Sequence, residues 1–381
     1  MNSFDKNNIW KEIRSKNRFI IKIGTNSLLE KSGEFDYITI AALIKGIKYL
    51  LKLNKQVILV SSGAISAGMK QLRIVERPND IVTQQVLAAI GNPILIQKYI
   101  QMFDGIPIGQ VLLNQTDLSN RTSYLHFRNA IEKMLSMGIL PIINENDVVS
   151  IDELVGTSQN PNEIEYNFSD NDVLSALVVG ALDGEVLLIL SDVDGLYTKH
   201  PNSPKAEFIE IVETINDEIK KMGGSQTKGG RGGMKTKIMA AEIATKTGAF
   251  TIITHSKKFN IESLFNNELK ATIFLPSKSI SGKKIWLIYA TNAEGKIFID
   301  EGALEAIKNG ASLLLPGIIK TSGNFVERDV VQIVDKNSKI VAKGIVNYSS
   351  KVIQERINEL KEGILPKRTF EIISHENLEF L

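Results

Sequence analysis

The 381-residue sequence contains no cysteine, which excludes disulfides and thiolate chemistry and fits a reducing compartment. Its four histidines, His126, His200, His255 and His375, are scattered without ligand spacing, which argues against a structural zinc site. No apolar run approaches the roughly 18 residues of a membrane span, and the polar N-terminus MNSFDKNNIWKEIRSKNR has no secretory core. Charge of one sign is also missing. Lys and Arg number 45 against 43 Asp and Glu, a net of +2, so nothing demands a polyanionic partner or an acidic membrane surface. The nucleotide-binding patterns Gly-x-x-x-x-Gly-Lys-[Ser/Thr] and Gly-x-Gly-x-x-Gly do not occur, nor do protein-kinase signatures. These absences leave a globular, cytoplasmic, small-ligand protein as the expectation.

What is present organises into two parts. Up to about residue 255, short β-branched runs alternate with helical patterns, predicting an α/β sheet sandwiched between helices. The predicted strands are Phe19 to Ile23, Val57 to Val60, Ile106 to Leu112, Ile139 to Ile143, Val186 to Leu190 and Phe250 to Ile253. Between the first two, Ile40, Leu43, Ile44, Ile47, Leu50 and Leu51 form one apolar helical stripe facing the sheet. After about residue 275 the pattern becomes short strands with closely spaced turns, as in KKIWLIYA, GKIFID, DVVQIVD and KIVAKGIVNY. The expected division is an N-terminal extension 1–17, a catalytic domain 18–275, a small mostly-β domain 276–365 and a tail 366–381. From 280 onward, 14 Lys or Arg meet 13 Asp or Glu, so the last part is no basic arm.

The chemistry-bearing residues collect where predicted strands end. The first strand leads into Lys22-Ile23-Gly24-Thr25-Asn26-Ser27 and the second into Ser61-Ser62-Gly63-Ala64. Ligands of open α/β sheets sit beyond the strands' carboxyl ends, where glycines admit phosphate oxygens to backbone N–H groups and a lysine can neutralise charge. Taken alone, each stretch could equally be an ordinary turn. The strand near 140 delivers Asn144-Glu145-Asn146-Asp147, and Ser169-Asp170-Asn171-Asp172 opens a helix. Asp170 is placed to cap that helix, but capping needs one residue, and the surplus carboxylates and amides suit an ammonium, a lysine or a metal. Ser191 and Asp192 follow the strand Val186 to Leu190, although an Asp-Gly turn explains that stretch as well. Finally, Gly229-Gly230-Arg231-Gly232-Gly233-Met234-Lys235-Thr236-Lys237 passes into an Ala-rich helix. A glycine-rich loop before a helix is a phosphate site, and lysines in a first helical turn, which the dipole disfavours, point to an anion nearby; a linker is the bland alternative.

The ordered series IKIGTNSL, VSSGAISAG, PIINENDVVS, SDNDVLSA, LSDVDGLYTKHP and GGRGGMKTKIMAA resembles the amino acid kinase family, and within it the branch that phosphorylates glutamate. The C-terminal stretches IDEGALEAI, GASLLLPGI, GNFVERDVVQI and AKGIVNY resemble the PUA domain attached to bacterial members of that branch. The resemblance implies ATP-dependent phosphorylation of the side-chain carboxylate of L-glutamate to L-glutamyl 5-phosphate, the first step of proline biosynthesis. It implies Lys22 and Lys237 as catalytic lysines with Asp172 holding them. Ser62, Asp147, Asn171 and Asp170 would bind glutamate. Ser191, Asp192 and the run Arg231, Gly232, Gly233, Met234, Lys235, Thr236 and Lys237 would contact ATP. Mg2+ would come with the nucleotide rather than on protein ligands. Proline as a feedback inhibitor and a homo-oligomer, dimer or tetramer, are further implications. Ser169 and Arg231 depart from the glycine and threonine usual at those places, and the loop 156–168 is longer than the family pattern.

Two other readings compete. The acceptor could be that of another family member, acetylglutamate, aspartate or uridylate, against which Asn144 to Asp147 and the C-terminal domain argue. The chain could instead bind RNA through the PUA-like segment, a partner its near-neutral charge does not support.

Overall fold

The computed structural model describes residues 6–30, 34–149, 171–224, 233–277, 280–291, 293–364 and 370–381. The chain divides into two compact units, Met1–Gly282 and Lys283–Leu381. No helix among the described residues is long and apolar enough to cross a membrane.

The first unit is built on an eight-stranded sheet. Its strands are β1 (Arg18–Ile23), β2 (Gln56–Ser61), β3 (Ile108–Leu113), β4 (Leu140–Glu145), β5 (Val186–Ser191), β6 (Ile211–Val212), β7 (Phe250–His255) and β8 (Ala271–Phe274). They lie in the order β3-β4-β2-β1-β5-β7-β8-β6. All neighbours run parallel except β7 and β8. The six predicted strands are present, each within two residues of its expected ends. Sequences such as Arg18-Phe19-Ile20-Ile21-Lys22-Ile23 are buried almost throughout, as a sheet covered on both faces requires. β8 and the two-residue β6 were not foreseen, because runs that short carry little periodicity.

Helices cover both faces. The described ones include α1 (Lys6–Ser15), α2 (Tyr37–Lys52), α3 (Ala64–Gln71), α4 (Ile81–Phe103), α5 (Arg121–Ser136), α6 (Asn171–Ala181) and α7 (Met234–Lys246). The foreseen stripe on α2 is real: Ile40, Leu43, Ile44, Ile47 and Leu50 are buried in the core with β1 and β2. The segment set apart as an extension, 1–17, carries α1, whose Ile9, Trp10 and Ile13 enter the same core. α6 is buried on every side, which fits its Val173–Val179 stretch, apolar but for Ser175, and makes it a central element rather than a surface one.

In the second unit, five strands form a mostly antiparallel sheet. In chain order they are β9 (Gly295–Ile299), β10 (Ile318–Ser322), β11 (Val330–Val334), β12 (Ile340–Ile345) and β13 (Leu378–Phe380), arranged β10-β9-β11-β12-β13. Helices α8 (Glu301–Lys308) and α9 (Ser350–Lys361) accompany it, and Ile297, Ile299, Val331, Ile333, Ile353 and Ile373 share one core. The stretch 366–381 contributes β13 and a short strand, Glu371–Ile373, paired with Leu313–Leu314.

One expectation fails here. KKIWLIYA is helical, a turn at Gly282–Ile285 running into a π-type turn at Trp286–Ala290. An apolar run this short reads the same as buried helix or buried strand. The carbonyls of Ile288 and of Thr291, just after it, accept from Lys343 Nζ at 3.0 and 2.6 Å, and burial pushes that ammonium down to about 8.

In the first unit, α3 and α4 meet backbone to backbone. A Cβ built on Gly91 would lie 1.7 Å from the carbonyl oxygen of Ala64, and one on Gly68 would lie 2.0 Å from that of Leu87. No side chain can move aside to relieve either. In an open helix Gly→Ala is worth about 1 kcal/mol in favour of alanine. At Gly91 the sign should reverse, and Gly91→Ala is expected to cost roughly 1–3 kcal/mol in urea unfolding; equal or higher stability would show that the two helices can separate freely.

Candidate active site

The order β4-β2-β1-β5 brings four strand ends together at the carboxyl edge of the sheet. Lys22 lies one residue before the end of β1, with Val60 of β2 and Ile189 of β5 as its lateral partners. Gly24 follows, and a Cβ there would stand 3.3 Å from Lys22 Nζ, so the glycine leaves room for the ammonium. The N-terminus of α6 supplies Asn171 and Asp172, and the first turn of α7 supplies Thr236 and Lys237.

These elements converge on one carboxylate. Asp172 is 0% exposed, and its Oδ1 stands 2.6 Å from Lys22 Nζ while its Oδ2 stands 3.0 Å from Lys237 Nζ. The Thr236 hydroxyl also reaches Oδ2 at 3.0 Å. Lys22 and Lys237 are only 5% and 7% exposed. Burial alone would raise the pKa of Asp172, but the two ammonium charges and their hydrogen bonds outweigh it and hold the carboxyl well below its ordinary value of 3.8. Two buried ammonium groups thus meet on one carboxylate. Buried cations grouped in this way suit an anionic ligand.

Beside the charged cluster runs a chain of neutral groups. Asn171 Nδ2 donates to Ser62 Oγ at 2.8 Å and to Asn144 Oδ1 at 3.3 Å. Asn144 Nδ2 in turn donates to Asn92 Oδ1 at 3.2 Å. Asn171 Oδ1 is buried without a hydrogen-bond partner among the described residues. Asp147 is buried in the turn after β4, and Ser191, at the end of β5, donates to Asp192 Oδ1 at 3.1 Å. α4 also reaches the end of β2, through a 2.9 Å hydrogen bond between Tyr99 Oη and Ser61 Oγ.

Of the residues singled out in the sequence, Lys22, Lys237, Asp172, Thr236, Asn171 and Ser62 are therefore joined by direct contacts or through a shared backbone. Gly233 precedes α7 as its cap, Met234 opens the helix, and Lys235 is exposed on it. Asp192 is exposed at the strand end. Asp170, Arg231 and Gly232 lie outside the described residues, as do Ser169 and the loop 156–168. Asn92 was not anticipated. Its only sequence signal is an amide at a buried helical position within the otherwise apolar stretch LAAIGNPIL.

Asp172→Asn removes the carboxylate that both buried lysines contact, a change of the kind that typically costs about 3–5 kcal/mol at neutral pH. Because the native pKa is depressed, the carboxylate's contribution is complete above its unfolded value and is lost as pH falls below about 4 towards the folded one. Urea unfolding should therefore show a large gap between wild type and Asp172→Asn at pH 7 that narrows as pH falls below about 4. A gap independent of pH would contradict the charge assignment.

Comparison with known proteins identifies the family of the chain. The amino acid kinase family profile matches residues 17–255, and that of the PUA domain matches residues 295–362. A glutamate 5-kinase of Thermoanaerobacter sp. is 39% identical over 375 residues, covering 96% of this chain and 98% of its own. A glutamate 5-kinase of Trichormus variabilis is 40% identical over 346 residues, covering 88% of this chain and 90% of its own. A solved structure, carbamate kinase from Giardia lamblia bound to AMP-PNP, is 19% identical with a TM-score of 0.47, over 69% of this chain and 100% of its own. The match over more than half the chain, together with relatives aligned along nearly all of it, places this protein in the amino acid kinase family.

Proposed function

We propose that the chain transfers the γ-phosphoryl group of ATP to the side-chain carboxylate of L-glutamate, releasing ADP and L-glutamyl 5-phosphate, the first step of proline biosynthesis. The observation that carries the phosphotransfer reading is the pair of buried lysines held on Asp172 at the carboxyl edge of the sheet. Glutamate as acceptor is supported by the two full-length relatives named glutamate 5-kinase.

A glutamate side-chain carboxylate is already an anion at neutral pH, so it needs no general base. One of its oxygens attacks the γ-phosphorus in line, and the bond from that phosphorus to the β,γ-bridging oxygen breaks. The difficulty is electrostatic, since two anions must approach and negative charge spreads over the transferring group. Lys22 and Lys237 meet that charge, and Asp172 fixes both ammonium groups before substrate arrives, so little reorganisation is left for the reaction. Asn171 offers its buried Oδ1 to the glutamate ammonium, Asp147 adds a carboxylate to the same pocket, and Ser62, which accepts a hydrogen bond from Asn171, binds glutamate beside it. Ser191, Asp192 and the residues leading into α7 contact the nucleotide.

A divalent ion such as Mg2+, when bound, neutralises part of the phosphate charge. Such an ion would come with the nucleotide, on its phosphate oxygens. Every residue in this scheme belongs to the first unit, and we assign the catalytic role to residues 18–275. A cytoplasmic setting goes with an ATP-consuming biosynthetic step.

ADP release should accompany glutamate and should be far slower with aspartate, acetylglutamate or UMP; preference for one of the latter would reassign the acceptor. Lys22→Ala and Lys237→Ala should each lower kcat by roughly a hundredfold or more without unfolding the protein; a kcat within a few fold of wild type would remove that lysine from the reaction. Asp147→Ala should act mainly on binding and raise the KM for glutamate about tenfold or more, and an unchanged KM would take Asp147 out of the pocket.

A further inference from the structure

Asn92 lies in α4, far from the reacting groups in sequence, and it is 5% exposed between Gly91 and Pro93. Leu87, Ala88 and Leu95 on the same helix are buried and apolar. A primary amide in such surroundings costs free energy unless its hydrogen bonds are made. Asn92 makes one, accepting through Oδ1 from Asn144, while its Nδ2 has no partner among the described residues.

That single bond carries directional information. With Asn144 Nδ2 committed to Asn92, Asn144 turns Oδ1 towards Asn171. Asn171 Nδ2 then spends both its hydrogens, on Asn144 and on Ser62, and its Oδ1 is left as an acceptor without a partner among the described residues. A reversed chain would present an NH2 group where the acceptor now stands, and an NH2 group repels a substrate ammonium. Ser62 cannot set the sense of the chain, because a hydroxyl both donates and accepts. In the observed sense, Asn92 Oδ1 is the acceptor at the far end of the chain.

We propose that Asn92 is a positioning residue for amino-acid substrate: its Oδ1, acting through Asn144, orients Asn171 so that an oxygen faces the substrate ammonium. This rests on the glutamate reading above. The close approach of α4 to α3 at Gly91 supports the role, since it fixes the height of the neighbouring residue against the turn after β2.

The test uses the full-length enzyme and steady-state kinetics with glutamate varied at saturating ATP, then the reverse. Asn92→Leu keeps the volume and deletes the acceptor, and it should raise the KM for glutamate about tenfold, the loss expected for one buried orienting hydrogen bond. The KM for ATP should be unmoved. Asn92→Asp keeps oxygens at the acceptor position and should hold the glutamate KM within about twofold of wild type. In an Asn171→Ala background, Asn92→Leu should add nothing further, a result that loss of packing would not produce. An unmoved glutamate KM in Asn92→Leu, equal behaviour of the Asp and Leu variants, or an undiminished effect without Asn171 would each overturn the proposal. Failure of both Asn92→Leu and Asn92→Ala to fold would also overturn it, by making Asn92 a stability residue. Absence of glutamate turnover in the unsubstituted enzyme would overturn the activity reading and this proposal with it, whereas turnover with an unmoved KM overturns the proposal alone.

Discussion

The carboxylate of Asp172 between the ammonium groups of Lys22 and Lys237 is the interaction on which the rest of the site depends. None of the three could be buried alone, since an isolated charge in the interior is either neutralised or expelled. Each comes from a different element, β1, α6 and α7, so the cluster ties the central strand to the two helices that cover it. The tie has a defined chemical result. Two ammonium groups are held side by side on one carboxylate, where both can meet the charge of a phosphoryl group in transfer.

The two halves of the site use different physics. On the phosphate side, charge does the work in a dry setting where electrostatic terms are strong. On the substrate side, neutral amides and a hydroxyl form a chain from Asn92 through Asn144 and Asn171 to Ser62, which selects orientation rather than supplying a field. Asn171 and Asp172 are adjacent in sequence at the start of one buried helix, so a single rigid element serves both halves. α4 supports the arrangement from outside, meeting α3 at Gly91, Asn144 of β4 through Asn92 and Ser61 of β2 through Tyr99. The catalytic geometry is thus set by helix packing as well as by the sheet.

Much of this was legible in the sequence. The parallel sheet could be read because each strand is a short β-branched run bounded by turn residues, and the α2 stripe because its apolar spacing has helical period. The strand ends marked Lys22, Ser62, Asp147 and Ser191 as candidates, but the pairing of Lys22 with Lys237 through Asp172 spans 215 residues, and only the resemblance to a known family suggested it. Thr236, expected to face nucleotide, reaches Asp172. KKIWLIYA was misread because a run buried on all sides has no periodicity to betray its conformation. Asn92 was invisible for a different reason: its meaning lies in a bond to a residue 52 positions away, and a lone amide in a helix carries no local sign of that.

The central claim is that the acceptor is a carboxylate, and it is tested most directly by trapping the product. An acyl phosphate reacts with hydroxylamine to give a hydroxamate and inorganic phosphate, whereas a phosphate ester does not. With ATP, glutamate and hydroxylamine, the account predicts glutamyl hydroxamate accumulating in step with ADP, one for one. ADP released without hydroxamate would mean that the phosphoryl group goes to water or to another acceptor, and the account would be wrong.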